Sequence, residues 1–381
     1  MSRDVAGPVV TPPATIGMLG GGQLGRYALM AARSMGYRTV VLEPDEDAPA
    51  GAVADEHLVA AYDDASALDR LASACAVVTT EFENPPASSL ERLARSTSVA
   101  PSAAAVAIAQ DRRSEKRFLA EAGLPVGPWA VVESADHRPD VGFPAILKTA
   151  QLGYDGKGQT AIASIDDIGD AWTALGARAC VLERALALES EVSVVVARTA
   201  DGRTATYEVS ENHHVDGVLD LTVVPARVTA AVAERATELA RAVADALDYV
   251  GVLAVELFVV AGELYVNELA PRPHNSGHWT LDAARTSQFE QQIRAVCGIG
   301  LGETAMTAPA AAMVNLLGDL WHRGEPDWAR AFDEPRASVH LYGKAIARPG
   351  RKMGHLTITG RSADDVAAEA LQLRDAISRS R

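Results

Sequence analysis

Short apolar runs alternate with stretches of helical spacing over the first hundred residues. Thr15 to Gly20 reads as a strand, and Gln23 to Met35 repeats its apolar positions with helical spacing before stopping at Gly36. Tyr37 to Leu42 is a second strand, closed by Glu43-Pro44. A helix near Ala65 to Ala74 and a strand from Ala76 to Thr79 follow, then Glu81-Phe82-Glu83-Asn84-Pro85-Pro86 and another helix. This alternation predicts a parallel α/β sheet. Ligands on such sheets bind at the carboxyl ends of strands, where Glu43, Glu81 and Glu83 fall.

The pattern then changes. Helices are expected from Ser102 to Gln110 and from Asp111 to Ala122, and Leu124-Pro125 opens a new unit. Pro144 to Lys148 and Thr160 to Ala163 read as strands around a glycine-rich loop. Cys180 to Glu183 is a strand running into Arg184-Ala185-Leu186, with further β runs at Glu191 to Ala197 and Thr204 to Ser210. Ala230 to Ala246 has the spacing of a long amphipathic helix. Beyond it, Val255 to Thr280 begins with two β-branched, apolar runs joined at Ala261-Gly262, which predicts a hairpin. A strand near Ala337 to Tyr342, the basic run RPGRKMGH from Arg348 to His355, and a helix from Ala363 complete the chain. The expected division is a loose tail over 1–14, a parallel α/β unit over 15–110, a central unit over 111–185 and an α+β unit over 186–381.

Composition sharpens this picture. With 381 residues and 48% hydrophobic positions, the chain can bury several cores. A net charge of −15 disfavours nucleic acid and anionic membranes as general partners, so an anionic substrate needs a local basic pocket. Three scattered cysteines, Cys75, Cys180 and Cys297, form no disulfide or zinc pattern and fit a reducing compartment. The first residues, MSRDVAGPVVTPPATIG, lack a signal-like apolar run, and no stretch approaches a membrane span. A cytoplasmic location is expected.

Candidate chemistry concentrates in the hairpin. Glu256 and Glu268 lie on its two strands, with Asn267 beside the second acid. Two carboxylates and an amide oxygen make a hard-oxygen cradle suited to Mg²⁺ bridging nucleotide phosphates. The segment Pro271 to Trp279 that follows is irregular and rich in donors, as a binding loop would be. Lys148 ends its strand directly before Gly153, Gly156 and Gly158, an arrangement that can clamp phosphates under a mobile cover. The 183–186 segment offers backbone groups to a base, and Glu191 an acceptor for ribose hydroxyls. Lys344, Arg351 and Lys352 form a basic cluster matched to a phosphate monoester. A rival reading rests on Gly20-Gly21-Gly22-Gln23-Leu24-Gly25, a GxGxxG match between strand and helix with Glu43 downstream, which would suit an NAD-dependent oxidoreductase. Such a loop alone offers an anion site for any phosphate.

Taken in order, GGGQLGR, TTEFEN, QDR, GYDGKGQ, NELAPRPHNSGHWT and RPGRKMGH resemble the N5-carboxyaminoimidazole ribonucleotide synthetases of purine biosynthesis, within the ATP-grasp superfamily. The resemblance runs from Ile16 to the end of the chain. It implies an ATP-grasp fold with a Rossmann-like first domain, a central lid and a C-terminal domain, assembled as a homodimer. It implies that ATP with Mg²⁺ (or Mn²⁺), bicarbonate and 5-aminoimidazole ribonucleotide give the N5-carboxyamino product through carboxyphosphate. A transient hand-over of product to the next mutase of the pathway is also implied.

By this resemblance Arg112, Lys148, Glu183, Arg184, Ala185, Leu186, Glu191, His214, Asn267 and Glu268 contact ATP, with the lid residues Gly153, Tyr154, Asp155, Gly156, Lys157, Gly158 and Gln159 above it. Glu256 and Glu268 hold the metal. Tyr154, Asp155, Arg272, His274 and Asn275 line the reacting centre. Gln23, Leu24, Glu81, Ser276, Lys344, Arg351 and Lys352 face the substrate together with Arg272, His274 and Asn275. One departure is Leu152, where related lids often carry glycine before Gly153, which puts contacts there in doubt. The formate-dependent glycinamide ribonucleotide transformylases share the architecture, but typically have a serine-rich lid without Tyr-Asp and Asp-Thr-Gly in place of Asn275-Ser276-Gly277.

Overall fold

The computed structural model of the chain describes residues 9–153 and 156–378. Three sheets organise it. The first has five parallel strands in the order Glu56–Leu58, Arg38–Leu42, Thr15–Leu19, Val77–Thr80, Ser98–Val99. Its central strands are buried on both faces because helices cover both sides. The expected α/β alternation is therefore present.

A four-stranded antiparallel sheet follows, ordered Trp129–Val132, Cys180–Arg184, Ala145–Thr149, Gln159–Ile162. The third sheet is antiparallel, and nine of its strands are described. Its path runs from the hairpin Glu263–Ala270 and Gly251–Val260 through Ser190–Arg198, Ser210–Val215, Val218–Val224, Ala310–Leu317 and Lys352–Gly360 to Ala337–Leu341, with Thr204–Thr206 paired beside Ser190–Arg198. The long helix Ala230–Ala246 buries Ala236, Leu239, Ala240 and Val243 against this sheet.

The hairpin closes tightly for a local reason. Ala261 and Gly262 both have positive φ, 50° and 78°, as a two-residue type I′ turn requires. Glu256 and Glu268 are direct cross-strand partners, so both side chains leave the same face.

Several elements differ from the sequence expectation. The run expected from Thr204 to Ser210 breaks after Thr206, and a new strand begins at Ser210. That strand turns at Asp216-Gly217, again with two positive φ values, into Val218–Val224. The basic run beginning at Arg348 becomes a strand from Lys352, paired along its length with Ala310–Leu317. The helix Gln288–Val296, which the sequence pattern does not single out, packs Phe289 and Ile293 against Leu24, Tyr27 and Ala28 and so joins the parallel sheet to the rest. Cys75, Cys180 and Cys297 are buried free thiols. Among the described residues, no helix is long and apolar enough to cross a membrane.

Candidate active site

A cleft of about 630 Å³ lies where the three sheets meet. Its walls carry seven Lys and Arg against four Glu, a basic pocket in a chain of net −15. Gln23, Leu24, Glu81, Arg112, Gly153, Lys157, Glu268, Arg272, His274, Asn275, Lys344, Arg351 and Lys352 all line it. Tyr154 and Asp155 lie outside the described residues.

One end of the site is built by the helix Arg112–Glu121. Asp111 caps it by accepting the Arg113 N–H at 2.9 Å. Arg112 and Lys116, four residues apart, share its inner face. Arg112 Nη1 donates to Glu268 Oε2 at 3.2 Å, and Lys116 Nζ donates to the Asn267 carbonyl at 2.8 Å. Glu115, between them, accepts the Leu269 N–H at 2.6 Å, and burial pushes its carboxyl up to about 8. Lys116 also pairs with Glu183 at 3.3 Å, and Lys148 reaches the same acid at 3.2 Å. Burial alone would raise Glu183, but Lys116, Lys148 and Arg112 outweigh it and pull the carboxyl down to about 2. Burial likewise lowers Lys148. Lys116 is the main residue that motif reasoning overlooks. Its signal was present as a lysine one helical turn after Arg112 on a face otherwise committed to packing.

The cradle comes next. Burial, and after it the Glu268 charge, pushes Glu256 up to about 7. The side-chain oxygen of Asn267 is buried with no protein partner. Facing carboxylates and an orphaned amide oxygen fit a divalent cation, which would satisfy all three. His214 Nδ1 meets Glu191 Oε2 at 2.9 Å, which links two of the residues expected to contact ATP. Burial would lower His214, but the bond to Glu191 and the nearby Glu256 outweigh it.

The loop after the hairpin is held firmly. Gln288 Nε2 donates to the His274 carbonyl at 2.7 Å, and Gln288 Oε1 accepts the His274 N–H at 2.9 Å. A Cβ on Gly277 would collide with that Gln288 side chain. Trp279 is fully buried and donates its indole N–H to Ser210 Oγ at 3.1 Å. The loop therefore presents Asn275 to the cleft on a rigid base. Both polar atoms of the Asn275 amide are buried without a protein partner. Arg272 reaches across to Glu83 with Nε at 2.5 Å and Nη2 at 3.1 Å, a two-point pair between the large sheet and the parallel one. At the other end Lys344 Nζ donates to the Lys352 carbonyl at 2.8 Å, and Arg351 Nη1 donates to the Ile346 carbonyl at 2.9 Å.

Three expectations need correction, and the part of Glu81 is narrowed. Ser276 is wholly buried, so it faces protein rather than substrate. The Arg184 and Ala185 N–H groups, expected toward a base, donate to Pro128 and Pro144 carbonyls at 3.0 and 2.9 Å, and the Arg184 side chain is exposed. Glu81 lines the cleft, yet its carboxylate turns inward and accepts the Gly22 and Gly25 N–H groups at 2.8 and 2.9 Å. Glu43 accepts the Gly21 N–H at 2.7 Å and the Tyr62 hydroxyl at 2.5 Å. The donors that a dinucleotide pyrophosphate would need are thus already answered by the protein's own acids, which removes the basis of the oxidoreductase reading. Lys148, Glu183, Leu186, Glu191, His214, Asn267 and Glu256 lie outside the cleft lining, and Gly156, Gly158 and Gln159 carry the loop beyond it.

The lid differs in kind from that first glycine loop. Leu152 has φ of 60° and is 68% exposed, a left-handed conformation that glycine would adopt without cost. Gly156 and Gly158, at φ 74° and 72°, rest near the Asp216 carbonyl and Thr149 Oγ1 respectively.

Family models match three consecutive segments. A ribonucleotide synthetase preATP-grasp domain covers 13–110, an ATP-grasp domain covers 117–289, and a phosphoribosylaminoimidazole carboxylase C-terminal domain covers 311–369. N5-carboxyaminoimidazole ribonucleotide synthase of Brucella melitensis is 46% identical over 353 residues, 91% of this chain and 96% of that protein. A solved N5-carboxyaminoimidazole ribonucleotide synthetase in its ADP complex superposes with a TM-score of 0.90 at 40% identity, covering 98% of this chain and 100% of that one. The synthase of Aspergillus clavatus, solved with ADP and 5-aminoimidazole ribonucleotide, gives 0.85 at 30% identity over 96% of this chain and 99% of its own. The chain belongs to the N5-carboxyaminoimidazole ribonucleotide synthase family of ATP-grasp ligases.

Proposed function

We propose that the chain carboxylates 5-aminoimidazole ribonucleotide at its exocyclic amine, using ATP and bicarbonate and releasing ADP and phosphate. The observation that carries this reading is the junction of a two-carboxylate cradle with a basic cleft, bridged by Arg112 on Glu268. Glu256, Glu268 and Asn267 would hold Mg²⁺, whose charge offsets that of the phosphate oxygens during transfer. Lys148 and Lys116 add positive charge beside the same phosphates, while Glu183 keeps both lysines in place.

The γ-phosphoryl group passes to a bicarbonate oxygen, giving ADP and carboxyphosphate. The amine then attacks the carboxyl carbon, or the CO₂ released from it. A carbamate N–C bond forms while phosphate and a proton depart. Asn275, with both amide groups unanswered by protein, is placed to hold the carboxyl group. Burial, then Arg272 and Lys352, keep His274 well below its ordinary value and so neutral. Lys344 and Arg351 take the ribonucleotide phosphate. A labile acyl phosphate needs water excluded, which is the part given to the loop from Gly153 to Gln159, whose sequence includes Tyr154 and Asp155. A cytoplasmic homodimer that hands its product to a mutase completes the reading, on the strength of the family resemblance.

The test is substrate dependence. ADP release should require bicarbonate and 5-aminoimidazole ribonucleotide together, with one carbamate formed per ATP. Release with formate and glycinamide ribonucleotide instead would overturn the assignment.

A further inference from the structure

A line of hydrogen bonds runs through the buried face of the large sheet and ends at His274, whose other ring nitrogen lies close to the cradle. Thr222 Oγ1 donates to Asn212 Oδ1 at 3.0 Å, and Asn212 Nδ2 donates to Ser193 Oγ at 2.8 Å. Ser193 Oγ donates to Ser276 Oγ at 2.8 Å. Ser276 Oγ lies 2.9 Å from His274 Nδ1, and His274 Nε2 lies 3.4 Å from Glu256 Oε1. Strand pairing explains the alignment. Asn212 is the cross-strand partner of Thr222, and Ser193 is that of Glu256, so these side chains share a face. Thr222 and Ser276 are fully buried, and Ser193 is 1% exposed, so water does not compete for these bonds.

The direction of the line is fixed at its far end. The Ser276 backbone N–H also points at His274 Nδ1, at 3.3 Å. A backbone N–H can only donate, so Nδ1 is the bare nitrogen and Nε2 carries the hydrogen. We propose that Asn212, Ser193 and Ser276 are positioning residues that hold His274 as the Nε2–H tautomer, so that its N–H fixes one oxygen of Glu256 for a divalent cation. Outer partners of this kind orient metal-binding carboxylates and are felt in affinity when removed. This gives the buried Ser276 a role that contact with substrate cannot. The purpose of the inference rests on Glu256 being a metal ligand, but the tautomer is read without metal, nucleotide or turnover, so the two can fail separately.

The experiment is nitrogen-15 NMR of the histidine-labelled full chain, with the His274 signals identified by their loss in His274→Gln. Wild type should show a protonated Nε2 and a bare Nδ1. Asn212→Leu and Ser193→Ala should each bring in the second tautomer. Each should also raise the Mn²⁺ concentration needed for half-saturation, read by electron paramagnetic resonance, by about tenfold. The KM for ATP should stay within about twofold, since the fold and the lysines are untouched. A wild-type spectrum with hydrogen on Nδ1 overturns the proposal without any variant. Unchanged His274 signals in both folded variants would overturn it as well.

Discussion

Two glycine-rich loops follow strands in this chain, and on paper both could bind phosphate. The first, Gly20 to Gly25, opens the helix Gln23–Ser34. Its N–H groups are spent on Glu81 and Glu43, and side chains on Gly20, Gly21 or Gly22 would collide with Glu81, Phe82 or Glu43. The second, from Leu152 to Gly158, follows Lys148, carries positive φ at Leu152, Gly156 and Gly158, and borders a cleft rich in cations. The difference lies in what answers the backbone donors. A glycine motif shows that a backbone can approach an anion, and the surrounding acids decide whether a ligand or the protein's own carboxylate fills the place.

The largest effect is expected at Glu268. Glu268→Gln keeps the hairpin but removes half of the carboxylate cradle, and ATP turnover should fall by about 10²-fold or more. Steady-state ADP release at ordinary Mg²⁺ reads this, and near wild-type turnover would sink the cradle assignment. Glu81→Gln probes the first loop instead. A glutamine cannot accept from both Gly22 and Gly25, because its NH₂ opposes one of them. Denaturant unfolding should show a loss of about 1–3 kcal/mol with the ATP KM within about twofold. A weakened ATP KM at full stability would mean the first loop binds nucleotide after all. Arg351→Ala should raise the KM for the ribonucleotide by about tenfold and leave that for ATP alone. Equal changes in both would make its role structural.

The smallest effect is expected at Leu152. Leu152→Gly relieves a left-handed residue at a cost of about 1 kcal/mol but adds backbone freedom, so stability should move by less than about 1 kcal/mol. A larger loss would mean that the exposed leucine packs against something when the lid is down.

Much of this was legible in the sequence where local rules decide. The hairpin was readable because alternation and the Ala261-Gly262 turn agree. Ala230–Ala246 was readable from its apolar stripe. The strands Ser210–Val215 and Val218–Val224 were harder, although the Asp216-Gly217 turn marks them, because Glu211, His213 and His214 interrupt the apolar pattern. Gln288 was not legible, since its meaning depends on a residue 14 positions away along the chain, and the helical spacing that sets Lys116 on the Arg112 face does not say which acid it meets. Glu43 and Glu81 misled for the same reason: spacing places them at strand ends but does not say which donors they meet.

Amide hydrogen exchange, with and without Mg²⁺ and a non-hydrolysable ATP analogue, tests the contrast between the loops most directly. The account predicts that the Gly21, Gly22 and Gly25 amides exchange slowly in both states, because carboxylates already hold them. It predicts that amides from Gly153 to Gln159 gain protection only when nucleotide is bound. Protection gained by the first loop, with the second unchanged, would contradict it.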